Sequence, residues 1–229
     1  MYRIGKAVFD LKNQLEVPGM SKIRKALREP GEILLYLRRR LLLRRLLISQ
    51  VEEDGQSYFR YKGHLYPTYL DNKAASPNIF SKAKQYCTGV GIDVGGGKNP
   101  FSDATLVEDE ECQNAYLLDT FPDHSLDYVF SSHCLEHLER WQEALDLWIS
   151  KIKPGGVLFL YLPHAAMPFW QPQGLWVGSC HKWSPSVEIL LPYLGDKQMD
   201  VLDYNPDKDN YWSFHIAAQK PSGMDNPRP

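Results

Sequence analysis

The chain has 229 residues, 43% hydrophobic and 12% aromatic, enough for one packed domain of moderate size with an extension. Its net charge of −2 hides a split, because residues 1–50 carry 12 Lys/Arg against 4 Asp/Glu and the remainder 14 against 24. The acidic body makes a poor nucleic-acid surface, whereas the basic arm suits an anionic partner or the body itself.

Cys87, Cys112, Cys134 and Cys180 form no Cys-x-x-Cys pair, which suits free thiols in a reducing compartment. Met1–Asp10 lack the apolar run of a secretory signal, so the expected location is cytoplasmic.

Residues 32–48 are rich in Leu and Arg, follow Pro30-Gly31, and are expected to form a helix. Five arginines interrupt the apolar run, which stays well short of the ~20 residues a bilayer requires. Only Leu34, Leu37, Leu41 and Ile48 form a stripe free of arginine, so the polar and apolar faces segregate poorly. Packing on the body or a dimer mate is the plainest role, ahead of an anionic membrane surface and then RNA. Tyr58, Tyr61, Tyr66 and Tyr69, with Gly55 and Gly63, read as an aromatic connector that includes a hairpin. Ser76-Pro77 then opens a helix to about Tyr86.

Strands are expected at 90–94, 104–108, 115–118, 126–131, 157–162, 199–204 and 211–218, and helices at 133–150 and 185–194. Leu138, Trp141, Leu145 and Trp148 fall at spacings of three and four and lay one apolar stripe against a sheet. Leu158–Leu162 is apolar throughout, as in a parallel strand buried on both faces. Strand–helix alternation of this kind implies a doubly wound α/β fold. The chain accordingly divides into a basic helical extension with its connector (1–75), an α/β domain (76–220) and a tail (221–229).

The most informative stretch is Gly91-Ile92-Asp93-Val94-Gly95-Gly96-Gly97-Lys98-Asn99-Pro100, a strand ending in an acid before a glycine turn. Glycine adopts positive φ and lets backbone approach a ligand closely. A dinucleotide fingerprint needs a glycine where Pro100 stands, and a Walker loop needs Ser or Thr where Asn99 stands. Asp-x-Gly-x-Gly instead resembles the first motif of class I S-adenosylmethionine (SAM)-dependent methyltransferases. Asp119 to Leu138, containing Phe121-Pro122-Asp123 and His133-Cys134-Leu135-Glu136-His137, is similar to that family's downstream block. Lys153-Pro154-Gly155-Gly156 and the strand after it match its turn and fifth strand. The likeness is to a compact type 11 subgroup, with Gly-x-Gly-x-Asn-Pro and the first crossover helix absent or cut to one turn.

The resemblance implies a mostly parallel seven-stranded sheet and SAM as cofactor. It places Asp93, Gly95, Gly97, Glu108 (with Asp109 as register alternative), Asp119, Thr120 and Ser132 on the cofactor. His133, His164 and His181 become catalytic candidates, His133 first as general base. The aromatic insertion from Phe169 to Trp176 reads as a substrate lid. His181-Lys182-Trp183-Ser184-Pro185 is similar to a segment of methyltransferases encoded with glycan and lipopolysaccharide genes. No metal is expected, since His133, His164 and His181 have no fixed ligand spacing. The expected activity is methyl transfer to an oxygen or nitrogen of a small molecule or glycan-type acceptor. Residues 32–48 would contact a membrane surface or a second copy. Two rival readings are an RNA methyltransferase and a non-catalytic scaffold.

Overall fold

The computed structural model describes residues 41, 49–67, 75–97, 99–101, 104–107, 114–174, 177 and 179–223. The chain divides into two units, Met1–Ile48 and Ser49–Pro229. In the first unit only Leu41, exposed and helical, is described; the rest of the Leu/Arg-rich segment lies outside the described residues. Among the described residues no helix is long and apolar enough to cross a membrane.

The second unit opens with an antiparallel meander of β1 (Ser49–Glu53), β2 (Gln56–Tyr61) and β3 (His64–Pro67). Its two turns are Asp54-Gly55, with φ of 52° and 74°, and Lys62-Gly63, with φ of 49° and 81°. Two-residue hairpin loops of type I′ need positive φ at both central residues, and a glycine in second place supplies half of that without strain. Tyr66 stacks on Trp212 at 4.8 Å, and the Trp212 indole N–H donates to the Leu65 carbonyl at 2.7 Å, which docks the meander on the body.

A 3₁₀ turn at Ser76–Asn78 leads into the short helix α1 (Phe80–Ala83). The main sheet comprises β4 (Gly91–Val94), β5 (Thr105–Val107), β6 (Leu126–Ser132), β7 (Ile152–Pro163), β8 (Asp200–Tyr204) and β9 (Ser213–Gln219). Its spatial order is β5-β4-β6-β7-β9-β8, with the first four strands parallel and β9 antiparallel to both neighbours. This is the doubly wound α/β arrangement, with six strands among the described residues. The strand expected at 115–118 is a 3₁₀ turn, Asn114–Tyr116, whose Ala115 carbonyl accepts from the buried Trp148 indole at 2.8 Å.

The helix expected from 133 begins later. His133 sits at φ 50°, a 3₁₀ turn runs from Leu135 to His137, and Leu138 is extended. Only then does α2 (Trp141–Lys151) start, and α3 (Val187–Asp196) follows after β7.

Side-chain alternation sorts the two faces of the sheet. Val129, Leu158, Leu160, Leu162, Phe214 and Ile216 pack with Leu145, Trp148 and Leu190 of the long helices. Tyr128, Phe130, Phe159 and Tyr161 form the opposite face, with Ala83 of α1 and Phe101. Among the described residues the α-helix that covers this second face is four residues long. Rings supply the remaining cover: Phe101 stacks on Phe130 at 4.7 Å, Phe130 on Phe159 at 5.8 Å, and Phe159 on His215 at 5.8 Å. Gly91 is required beneath them, because a Cβ there would lie 2.5 Å from the Tyr128 ring. Phe101 thus stands where a crossover helix would otherwise shield the sheet.

Phe101→Ala should therefore lower unfolding stability by about 3–5 kcal/mol, the usual cost of emptying a buried phenylalanine site. Urea unfolding checks this, and a loss below about 1 kcal/mol would show that the face is covered by other means.

Candidate active site at the ends of the parallel strands

Asp93, Gly95, Gly97, Ser132 and His133 lie where β4 and β6 end, the edge at which open α/β sheets bind ligands. Asp93 is fully buried, and its Oδ2 accepts the Phe101 N–H at 2.7 Å. The chain between them turns through Gly95 and Gly97, with φ of 83° and 52°. The Gly95 N–H donates to the Val107 carbonyl at 3.1 Å, tying the turn to β5. No side chain fits at the first two glycines. A Cβ on Gly95 would lie 2.6 Å from that of Cys134, and one on Gly96 would lie 2.3 Å from Asp93 Oδ2. Gly97, in contrast, is exposed, and a Cβ there would meet nothing nearer than the Gly95 carbonyl at 3.9 Å. Gly96 escapes a reading by motif, because the motif spacing names only its neighbours.

At the end of β6 the Ser131 hydroxyl donates to the Val94 carbonyl at 3.0 Å and clamps the two strands together. Ser132 is buried beside it. The His133 ring packs edge-on against Trp170 and Tyr161, at 5.1 and 5.4 Å between centroids, and its Nε2 lies 2.9 Å from Ser213 Oγ. Burial first, and then the neighbouring His181 and His137, push its pKa down to about 3.

Three residues further on, Glu136 is completely buried. His133 Nδ1 lies 3.6 Å from its Oε1, and His137 Nε2 and His181 Nε2 each lie 3.8 Å from that oxygen. Burial raises the Glu136 pKa to about 8 and lowers that of His181 to about 3. The spacing His133-x-x-Glu136-His137 is visible in the sequence, but no local pattern shows that His181 returns to the same carboxylate.

Of the histidines expected to act together, His133 and His181 share the Glu136 carboxylate. His164 does not join them: its Nδ1 accepts from the Ala166 N–H at 3.0 Å and its Nε2 faces the Pro206 carbonyl at 3.2 Å. Asp119 and Thr120 lie in an exposed turn, and Glu108 and Asp109 lie outside the described residues. The insertion folds down onto the site. Phe169 and Trp170 are buried, and Phe169 packs 5.1 Å from Tyr66 of the meander. Leu175 and Trp176 lie outside the described residues.

Among the described residues the buried side-chain polar atoms without a hydrogen bond are Asp93 Oδ1, Ser132 Oγ and both Glu136 oxygens. All four belong to this one edge. An unpaired buried oxygen costs free energy, so its presence marks a place reserved for something else. The Asp93 oxygen, the Ser132 hydroxyl and the open backbone at Gly97 fit a ligand that carries hydroxyls and an ammonium group.

Residues 77–160 match the family described as Methyltransferase domain, which covers the glycine turn, the histidine segment and β4 through most of β7. No curated protein matches the chain. A SAM-dependent methyltransferase from Thermotoga maritima is 13% identical, with a TM-score of 0.49 over 66% of this chain and 92% of that one. One from Archaeoglobus fulgidus is 16% identical, with a TM-score of 0.46 over 66% and 97%. The family match over residues 77–160 agrees with the resemblance that the motifs carry.

Burial raises the Asp93 pKa from its usual 3.8 to about 6, against the opposing bond from Phe101. A carboxyl whose folded pKa lies above its unfolded value holds its proton more tightly when folded. Stability is therefore lost as pH climbs from about 4 to about 6 and stays lower above that, by on the order of 3 kcal/mol. Asp93→Asn keeps an acceptor for Phe101 and removes the charge. Its stability relative to the parent should move in its favour by about 2–3 kcal/mol between pH 4 and pH 8. Chemical denaturation at the two pH values measures this, and a pH-independent difference would mean that the carboxyl is not strained by burial.

Proposed function

We propose that the chain moves a methyl group to an oxygen or nitrogen of a small molecule or a glycan-type acceptor. The reading rests on the clustering of orphaned polar atoms at one sheet edge, inside the segment that matches a methyltransferase domain. S-adenosylmethionine, when bound, supplies a methyl group on a positively charged sulfur. Asp93, Gly95, Gly97 and Ser132 would hold it along β4 and β6, and Glu108, Asp119 and Thr120 would hold its nucleoside end. In this reading the unpaired Asp93 oxygen awaits a donor, so binding relieves a cost that the protein alone carries.

His133 is the side chain proposed nearest to the reacting atoms, with His164 and His181 as further candidates. Ser213 fixes one of its nitrogens, and burial keeps the ring neutral. An imidazole this weakly basic would act by orienting the acceptor and taking a hydrogen bond, more than by storing a proton. Trp170 and Phe169 would close the acceptor side and exclude water, so that positioning supplies most of the rate. The glycan-type acceptor is favoured by the resemblance of the His181–Pro185 segment, and residues 32–48 would hold the enzyme to a membrane surface or a second copy. The setting proposed is the cytoplasmic side of such a membrane.

Calorimetry of the full chain with SAM and its demethylated product tests the reading. Binding at micromolar concentration is expected, weakened at least tenfold in Asp93→Asn at pH 8. His133→Ala should slow turnover, measured with labelled SAM on a panel of sugars and phenols, far more than it weakens SAM binding. Absence of heat at millimolar ligand would leave only a scaffold. A steep fall in RNA affinity between low and moderate salt would instead favour the RNA reading.

A further inference from the structure

We propose that Glu136, His137 and His181 form a binding site for one divalent transition-metal ion of the zinc class. The cluster lies beside the glycine turn but uses none of its residues, and the proposal stands apart from SAM binding.

The first support is where the protons must lie. His181 Nδ1 faces the Trp170 carbonyl at 2.6 Å, and His137 Nδ1 faces the Cys180 carbonyl at 3.2 Å. A carbonyl only accepts, so each Nδ1 carries the hydrogen and each Nε2 presents its lone pair. Both Nε2 atoms lie 3.8 Å from Glu136 Oε1. His133 repeats the pattern in mirror image. The Ser213 hydroxyl donates to the Tyr211 carbonyl at 3.2 Å and accepts from His133 Nε2, which leaves His133 Nδ1 facing the same carboxylate oxygen at 3.6 Å. With Glu136 ionised, acceptors surround an acceptor, and neither oxygen of this completely buried carboxylate is hydrogen-bonded to another side chain. A cation at their centre turns this mutual repulsion into ligation. Histidines that bind metals characteristically donate their other ring N–H to a carbonyl, as His137 and His181 do.

The second support is geometry. One ligand atom from each of Glu136, His137 and His181 lies within 4.8 Å of the others. A tetrahedral centre with bonds of ~2.0–2.1 Å has edges of about 3.4 Å, so the 3.8 Å separations need to close by under half an ångström. The backbone holds the parts in place: the Lys182 N–H donates to the Glu136 carbonyl at 2.8 Å, and the Trp183 indole donates to the Leu135 carbonyl at 2.9 Å. Two imidazoles and one carboxylate suit zinc and its neighbours, whereas magnesium and calcium prefer all-oxygen sets. Three protein ligands leave a position for water or an acceptor hydroxyl. The partly exposed rings of His133 and His137 mark the side from which it would enter.

The test uses the full chain after chelator treatment. Titration with Zn²⁺ should show one ion per chain with micromolar or tighter affinity, while Mg²⁺ and Ca²⁺ at the same concentration give no saturable binding. Co²⁺ should develop the visible absorption of a four-coordinate site. Glu136→Gln, which keeps the shape but replaces the carboxylate ligand with a neutral amide, should cut Zn²⁺ affinity at least a hundredfold and abolish the Co²⁺ band while the chain stays folded. His181→Asn should do the same. No uptake would overturn the site, as would uptake unchanged in Glu136→Gln. Uptake lost in Cys180→Ser but kept in Glu136→Gln would place the metal on a thiol and equally overturn it. None of these failures touches SAM binding, which calorimetry reads separately.

Discussion

The bond from the Phe101 N–H to the Asp93 carboxylate, 2.7 Å long and wholly buried, is the constraint on which this architecture turns. A strand end in an α/β sheet normally hands over to a crossover helix that covers one face. Here Asn99-Pro100 follows the glycine turn, and the chain goes directly across to Phe101. The carboxylate holds that segment at its backbone, and the ring then stacks on Phe130 and shields the sheet. One residue therefore fixes both the shape of the turn and the packing of the face beneath it. The substitution is economical in chain length, and it leaves Asp93 with a single bond for two oxygens.

The opposite wall of the site is assembled from pieces distant in sequence. Trp212 receives Tyr66 of the meander by stacking, and Phe169 of the insertion packs on the same tyrosine. Trp170, the next residue, lies against His133 and accepts from His181 through its carbonyl. The insertion is thus gripped from above by the meander's aromatic rings and from below by histidine contacts. Displacing it would disturb both grips at once, so changes in the aromatic cluster should be felt at the histidines.

Much of the fold was legible in the sequence because period-two alternation and turn residues are local signals. Val157–Leu162 reads as a strand buried on both faces, and each of its residues takes the face that alternation assigns. Asp54-Gly55 and the glycine turn likewise announce their own backbone. Three elements misled for tertiary reasons. Residues 115–118 look like a strand, yet the Ala115 carbonyl is claimed by the Trp148 indole and the segment closes into a 3₁₀ turn. Residues 133–140 carry helical composition, but His133 adopts positive φ and Leu138 is extended, so the helix starts late. The meander's third strand was hidden in a stretch whose aromatic residues are spent on Trp212 and Phe169, contacts no local pattern announces.

The same late start explains why the histidine cluster was illegible. On a continuous helix Glu136 and His137 would project about 100° apart, and no more than one of them could face His181. The 3₁₀ turn and the extended residue after it bring both towards the loop that returns from the insertion. Its His181 is fixed there by the Lys182 N–H on the Glu136 carbonyl. A buried carboxylate among imidazoles is costly on its own, as is the half-paired Asp93. Both costs fall on the sheet edge that ligands use, while the remainder of the buried sheet is packed with aliphatic and aromatic side chains. The stability of that core sustains two strained carboxylates at one edge, and it is there that local sequence rules and the folded structure part company.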